Sequence, residues 1–146
     1  MVSTTLRTIS NDKSLVLFNT IALSSGNTDI IISKLNFTRK QYYSRMAAFG
    51  SVGLITRRRG RYLLTSFGKV VYETQMLIGK AKQNYWKLKA IDSIESVSEG
   101  WNFEERSKIV HSLIEDEDLK RILLRRNRDK AVEKDLNQKL IAPRQY

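Results

Sequence analysis

The apolar positions along the chain fall into blocks whose period changes once. LVLFNTIAL, residues 15–23, follows Asn11 and Asp12, and either of these can cap a helix over roughly 13–24. Ser25, Gly26 and Asn27 stop it, and Thr28 then caps a short second helix through DIIISKL. Asn36-Phe37-Thr38 reads as a turn, with Thr38 capping a third helix through RKQYYSRMAAF. In that helix Tyr42, Met46 and Phe49 recur at i, i+4 and i+7, so they share one inward face. Gly50 and Gly53 end it. Residues 1–10, MVSTTLRTIS, show no such period and read as a flexible N-terminal arm.

After Gly53 the period shortens. Leu54-Ile55-Thr56 and Tyr62-Leu63-Leu64 are strand-like runs joined by RRRGR, whose glycine suits a hairpin loop. Thr65 or Ser66 caps a long helix expected over 67–91. Phe67, Val71, Thr74, Ile78, Ala81, Tyr85 and Leu88 alternate spacings of four and three along it, a heptad-like stripe. Val70, Leu77 and Ile91 add a second row. Two apolar rows on one long helix favour a homodimer seam, with Val71, Ile78, Tyr85 and Leu88 as its interface residues, over packing within one subunit. Residues 92–100, DSIESVSEG, read as a linker. The C-terminal helical extension, 101–146, starts at an Asn102/Glu105 cap. Phe103, Val110, Leu113 and Ile114 form the apolar face of its first helix. A further helix runs from about Asp116 through Leu119, Ile122 and Leu123, and a highly charged tail follows from Arg125.

Charge narrows the choice of partner. The 146 residues carry 26 Lys and Arg against 15 Asp and Glu, a net charge of +11. Residues 1–65 hold 10 basic and 2 acidic side chains, a net of +8, and the remainder holds 16 and 13, a net of +3. The field is therefore concentrated in the front half, and it favours nucleic acid or another anionic surface. Without cysteine there is no disulfide, thiolate metal site or Cys nucleophile, and a single histidine, His111, offers little for acid–base chemistry. No enzyme, cofactor or metal site is expected. Glu115, Asp116, Glu117 and Asp118 are adjacent in sequence and so diverge around a helix, and their better role is at its N-terminus. No apolar run approaches the roughly 18 residues of a membrane span, and the N-terminus lacks a signal-peptide core. A soluble, cytoplasmic protein is the expectation.

The order helix, helix, turn, helix, hairpin over 11–66 is what a winged helix-turn-helix requires. The expected fold class is thus mainly α with a small β-hairpin: a winged helix-turn-helix, then a long helix, then a helical extension. In the third helix the face opposite Tyr42, Met46 and Phe49 shows Thr38, Arg39, Lys40, Gln41, Tyr43, Ser44 and Ala47. Arg39, Lys40 and Gln41 stand at its start, where a recognition helix meets base edges. Arginine can pair bidentately with guanine and glutamine with adenine. The segment SKLNFTRKQYYSRMAAFGSVGLI, the Gly53-Leu54-Ile55 step and the return Tyr62-x-Leu64-Thr65-x-x-Gly68 resemble archaeal winged-helix transcriptional regulators, nearest to ArnR-like and PadR/MarR-like wing domains. The resemblance covers about residues 12–90. It implies that the hairpin is a wing beside the recognition helix, with Arg57, Arg58, Arg59 and Arg61 at its tip on the DNA backbone or in the minor groove.

If those four arginines and two helix cations each neutralised a phosphate, log K would fall with log salt at a slope of about −5. Double-stranded DNA bound by a homodimeric regulator is therefore the leading expectation. The alternatives are a chromatin or architectural protein that binds without base readout, and a winged module that binds a protein of the transcription machinery. On its own RRRGR would be a solvated basic turn.

Overall fold

The computed structural model describes residues 2–24, 28–98, 100, 102–125, 134–138 and 140. Ser25, Gly26 and Asn27, the side chain of Thr28 and most of the charged tail lie outside the described residues, as do the stop, cap and tail expected there. The described chain is mainly helical with one two-stranded antiparallel hairpin. It divides into two compact units, Met1–Thr74 and Gln75–Tyr146.

The first unit holds α1 (Val2–Ile9), α2 (Asp12–Leu23), α3 (Thr28–Leu35), α4 (Arg39–Ser51), β1 (Ile55–Arg58), β2 (Arg61–Leu64) and the first half of α5 (Ser66–Gln83). The expected flexible arm is instead a helix. Five of its eight residues are Ser, β-branched Thr or Val, which are poor helix formers. Burial overrides propensity here: Thr5 and Ile9, one turn apart, face inward, and Ile9 joins the core. Asn11 caps α2, its side chain accepting from the Ser14 N–H at 2.8 Å.

The turn from α3 to α4 is three residues long. Asn36 takes the left-handed conformation at φ 54°, and the Phe37 N–H reaches back to the Ile32 carbonyl, closing α3 as a Schellman cap does. Thr38 and Gln41 then form a reciprocal capping box at the start of α4. Phe37 before the cap and Tyr42 after it are both buried in the same core, a hydrophobic staple that fixes the entry of the helix. Tyr42, Met46 and Phe49 face inward as their spacing predicts. The Phe18 and Phe49 rings meet edge to face at 5.8 Å.

β1 and β2 pair in the register Ile55↔Leu64, Thr56↔Leu63, Arg57↔Tyr62 and Arg58↔Arg61. The strands run further toward the tip than the apolar residues suggest, leaving only Arg59 and Gly60 as the loop. Both have positive φ, 49° and 77°, as a type I′ hairpin turn requires. One residue ties the base of the hairpin to α5. The Thr65 hydroxyl donates to the Gly53 carbonyl at 2.6 Å and accepts the Gly68 N–H at 2.9 Å, while the Thr65 N–H donates to the Leu54 carbonyl. A Cβ on Gly68 would overlap the Leu54 carbonyl, so the close approach of α5 requires glycine there.

The second unit contains the rest of α5, α6 (Tyr85–Val97), α7 (Phe103–Leu113) and α8 (Glu117–Leu123). The single long helix expected over 67–91 is therefore two helices divided at Asn84, and the expected linker at 92–100 is largely α6. Ile91, Val110, Ile114 and Leu119 form the core of this unit, with Leu77, Ala81 and Leu88 against it. The continuous stripe read from sequence thus serves two cores: Val71 packs on the first and Leu88 on the second. Asn102 caps α7 and Asp116 caps α8. Among the described residues no helix is long and apolar enough to cross a membrane.

Candidate nucleic-acid interface

The expected contact residues are placed by two local structures of the first unit. On α4 the outward positions are Lys40, Tyr43, Ser44, Ala47 and Ser51, at i, i+3, i+4, i+7 and i+11, and all are exposed. Beyond Tyr43 this face is made of small side chains. Arg39 and Lys40 occupy the first turn, where the free backbone N–H groups also favour an anion. Tyr43 is half exposed, its ring set edge-on to Tyr42 at 5.2 Å.

Gln41 is placed differently from its expected role. Its side-chain oxygen accepts the Thr38 N–H at 3.1 Å, while its own N–H donates to the Thr38 hydroxyl at 3.2 Å. Bidentate pairing with adenine needs that same oxygen free as an acceptor. Gln41 and Thr38 are therefore engaged in holding the helix start, which leaves only the amide N–H groups of the Gln41 side chain for another contact. Arg45 escaped the sequence reading. Its Nε donates to the Ser14 hydroxyl at 3.2 Å, and its guanidinium lies 5.0 Å from the centroid of the Phe37 ring. The Lys13 ammonium stands 5.9 Å from the same ring, so this cationic pair clamps α4 to α2. The available signal was Phe37 itself, an apolar residue just ahead of a cap.

On the hairpin, alternation separates the arginines. Arg57 shares the inward face with Ile55, Tyr62 and Leu64, and its guanidinium lies 5.7 Å from the Tyr62 ring centroid. Arg58 and Arg61 are directly opposed on the outer face beside Leu63, and with Arg59 at the tip they line one concavity. Like charges directly opposed across a ladder destabilise it. The outer face continues past Arg58 and Leu63 into a groove bounded by Ile21, Lys69 and Tyr72.

Electrostatics distinguish the two units. The five ion pairs among the described residues all lie in the second one, linking Lys80 to Asp116 and Asp118, Arg106 to Glu95, Lys120 to Glu117, and Arg121 to Asp118. None joins Arg39, Lys40, Arg57, Arg58, Arg59 or Arg61 to a carboxylate. The expected dimer residues do not form one surface. Val71 and Leu88 are partly buried within their own units, whereas Ile78 is 64% and Tyr85 43% exposed. His111 is exposed. Among the described residues no three His, Cys, Asp or Glu side chains converge as metal ligands do, and the acidic run is used for the α8 cap and for pairing with lysines.

Compared with known proteins, the chain matches no family model, no curated protein and no solved structure.

Proposed function

We propose that the chain is a double-stranded DNA-binding regulator acting as a homodimer, with Met1–Thr74 as a winged helix-turn-helix. In this reading α2, α3 and α4 form the helical part, and α4 enters the major groove with Arg39, Lys40, Tyr43 and Ser44 outward. The hairpin is the wing, and Arg58, Arg59 and Arg61 meet phosphates or the minor groove. The observation that carries the proposal is the set of six cations at the α4 start and the hairpin, none with a carboxylate partner among the described residues, while Lys13 and Arg45 of the same unit lie against its Phe37 ring. Keeping like charges together costs folding stability, and a polyanion relieves that cost. The small outward side chains of α4 suit close entry into a groove. The dimer proposal rests on Phe67, Val70 and Ile78, exposed apolar residues within an arc of about 80° on α5.

The test is a gel shift of genomic fragments in competitor DNA at moderate salt, with the parent chain and an Arg58→Glu/Arg59→Glu/Arg61→Glu variant of matched circular dichroism. Selective retention by the parent and its loss in the variant are expected. Equal retention by both would end the proposal. A second reading, DNA binding without base readout, is favoured by Gln41, whose acceptor is committed to the helix cap. Uniform binding of all fragments by the parent would select it.

A further inference from the structure

Around Asn84, where α5 gives way to α6, four side chains lie at i, i+3, i+4 and i+7: Lys82, Tyr85, Trp86 and Lys89. The structure assembles them into one cluster. The Tyr85 and Trp86 rings meet edge to face at 5.3 Å and 72°. The Lys82 ammonium stands 5.2 Å and the Lys89 ammonium 5.9 Å from the Tyr85 ring centroid. Trp86 is 78% exposed, and Lys87 beside it is exposed as well. Among the described residues Lys82, Lys87 and Lys89 pair with no carboxylate, whereas Lys80, Arg106, Lys120 and Arg121 of the same unit do. Neither the second core nor the surface proposed for duplex DNA uses these residues.

We infer that Lys82, Tyr85, Trp86, Lys87 and Lys89 form a docking surface for an unpaired DNA strand, with the Trp86 indole as the stacking platform and the three lysines on the phosphates. An indole held edge-on by Tyr85 and open to solvent offers a flat apolar face. A duplex cannot use that face, because its own base faces are already stacked; an unpaired base can, whatever its identity. The flanking ammonium groups supply the charge complementarity that a phosphodiester chain needs. The lysines hold Tyr85 through its ring face, which directs Trp86 outward as the contacting ring. The surface lies within Gln75–Tyr146 and does not depend on the duplex reading of the first unit.

The test uses the full chain carrying Trp101→Phe, which leaves Trp86 as the sole tryptophan of the two in the sequence. Titration with a twenty-base oligothymidine at low salt is expected to quench Trp86 emission saturably. In a parallel anisotropy assay with labelled oligothymidine and the otherwise native chain, Trp86→Ala is expected to weaken binding about tenfold. Lys82→Gln/Lys87→Gln/Lys89→Gln is expected to make the slope of log K against log salt shallower by about 2. The anisotropy arm stands even if Trp101→Phe misfolds. Absence of quenching, or unchanged affinity in Trp86→Ala, would overturn the inference. So would a tenfold preference for oligouridine, which assigns the surface to RNA. A blue shift of Trp86 emission on phosphatidylglycerol vesicles without oligothymidine quenching would assign it to a membrane surface, and a shift that grows with protein concentration alone would assign it to a second copy. None of these results bears on the gel shift of duplex fragments, so the two proposals fail separately.

Discussion

Single residues at the hairpin separate folding from binding. Gly68 has no room for a Cβ because the Leu54 carbonyl occupies that space. Gly68→Ala must therefore push α5 away from the hairpin base and stretch the bonds made through Thr65. A loss of about 1–3 kcal/mol in urea unfolding is expected, the usual range for overpacking a rigid site. Arg59 makes the opposite case. It sits at φ 49° in the first position of a type I′ turn, where asparagine is favoured and arginine is strained. Arg59→Asn should leave urea stability equal to or up to about 0.5 kcal/mol above the parent. If the arginine is retained for a phosphate, the same change should weaken duplex binding several-fold and lower the salt slope by about 1. A variant that gained stability and lost no affinity would show that Arg59 has no part in binding.

At the scale of elements, the N-terminal ends of helices were the most legible part of the sequence, and the extent of the long helix after the hairpin the least. Asn11, Thr38 with Gln41, Thr65, Asn102 and Asp116 each act within three residues, so type and spacing suffice to read them. The sharing of one apolar stripe between two cores was not legible. Val71 and Leu88 repeat in phase on paper, yet the break at Asn84 and the division after Thr74 depend on which distant residues cover them. For the same reason α1 was missed, since Ile9 earns its helix from a core assembled by residues far along the chain. The Gln41 role was half legible: its place in the cap could be read, but not that the cap takes the very atom base pairing would use. Between α5 and α8, Asp116 uses one oxygen to cap Asp118 and Leu119 and the other to meet Lys80 at 3.1 Å. The Leu119 N–H, then Lys80, hold its carboxyl below the ordinary 3.8, and Asp118, then Asp116, hold the Lys80 ammonium above the ordinary 10.5. A depressed acid stabilises the fold above its unfolded value and loses that contribution as pH falls through the folded one; a raised base does the reverse at high pH. The urea-midpoint difference between parent and Lys80→Gln should therefore be level from about pH 5 to pH 9 and shrink on either side. A difference independent of pH would show that Lys80 acts through its packed stem alone.

For the whole molecule, the decisive quantity is where the unneutralised charge lies. Among the described residues no ion pair offsets the net +8 over residues 1–65, whereas in the later residues, with a net of +3, Glu95, Asp116, Glu117 and Asp118 pair with local cations. If the first unit alone holds duplex DNA, as proposed, and its six cations at the α4 start and the hairpin each meet a phosphate, the slope of log K against log salt for one copy should be about −5. A dimer placing two such units on one site should show about −10, and the mass of the complex by light scattering must agree with whichever slope is found. Replacing Ile78 and Val70 by Gln removes exposed apolar surface from α5 without opening a core, since both side chains are mostly in water. If the α5 row joins two copies, that double change should move both the mass and the slope from the dimer value to the single-copy value together. A slope near −10 that persists in a monomeric variant would mean that cations outside the first unit reach the duplex, and the division of charge between the two units would no longer describe how the protein holds DNA.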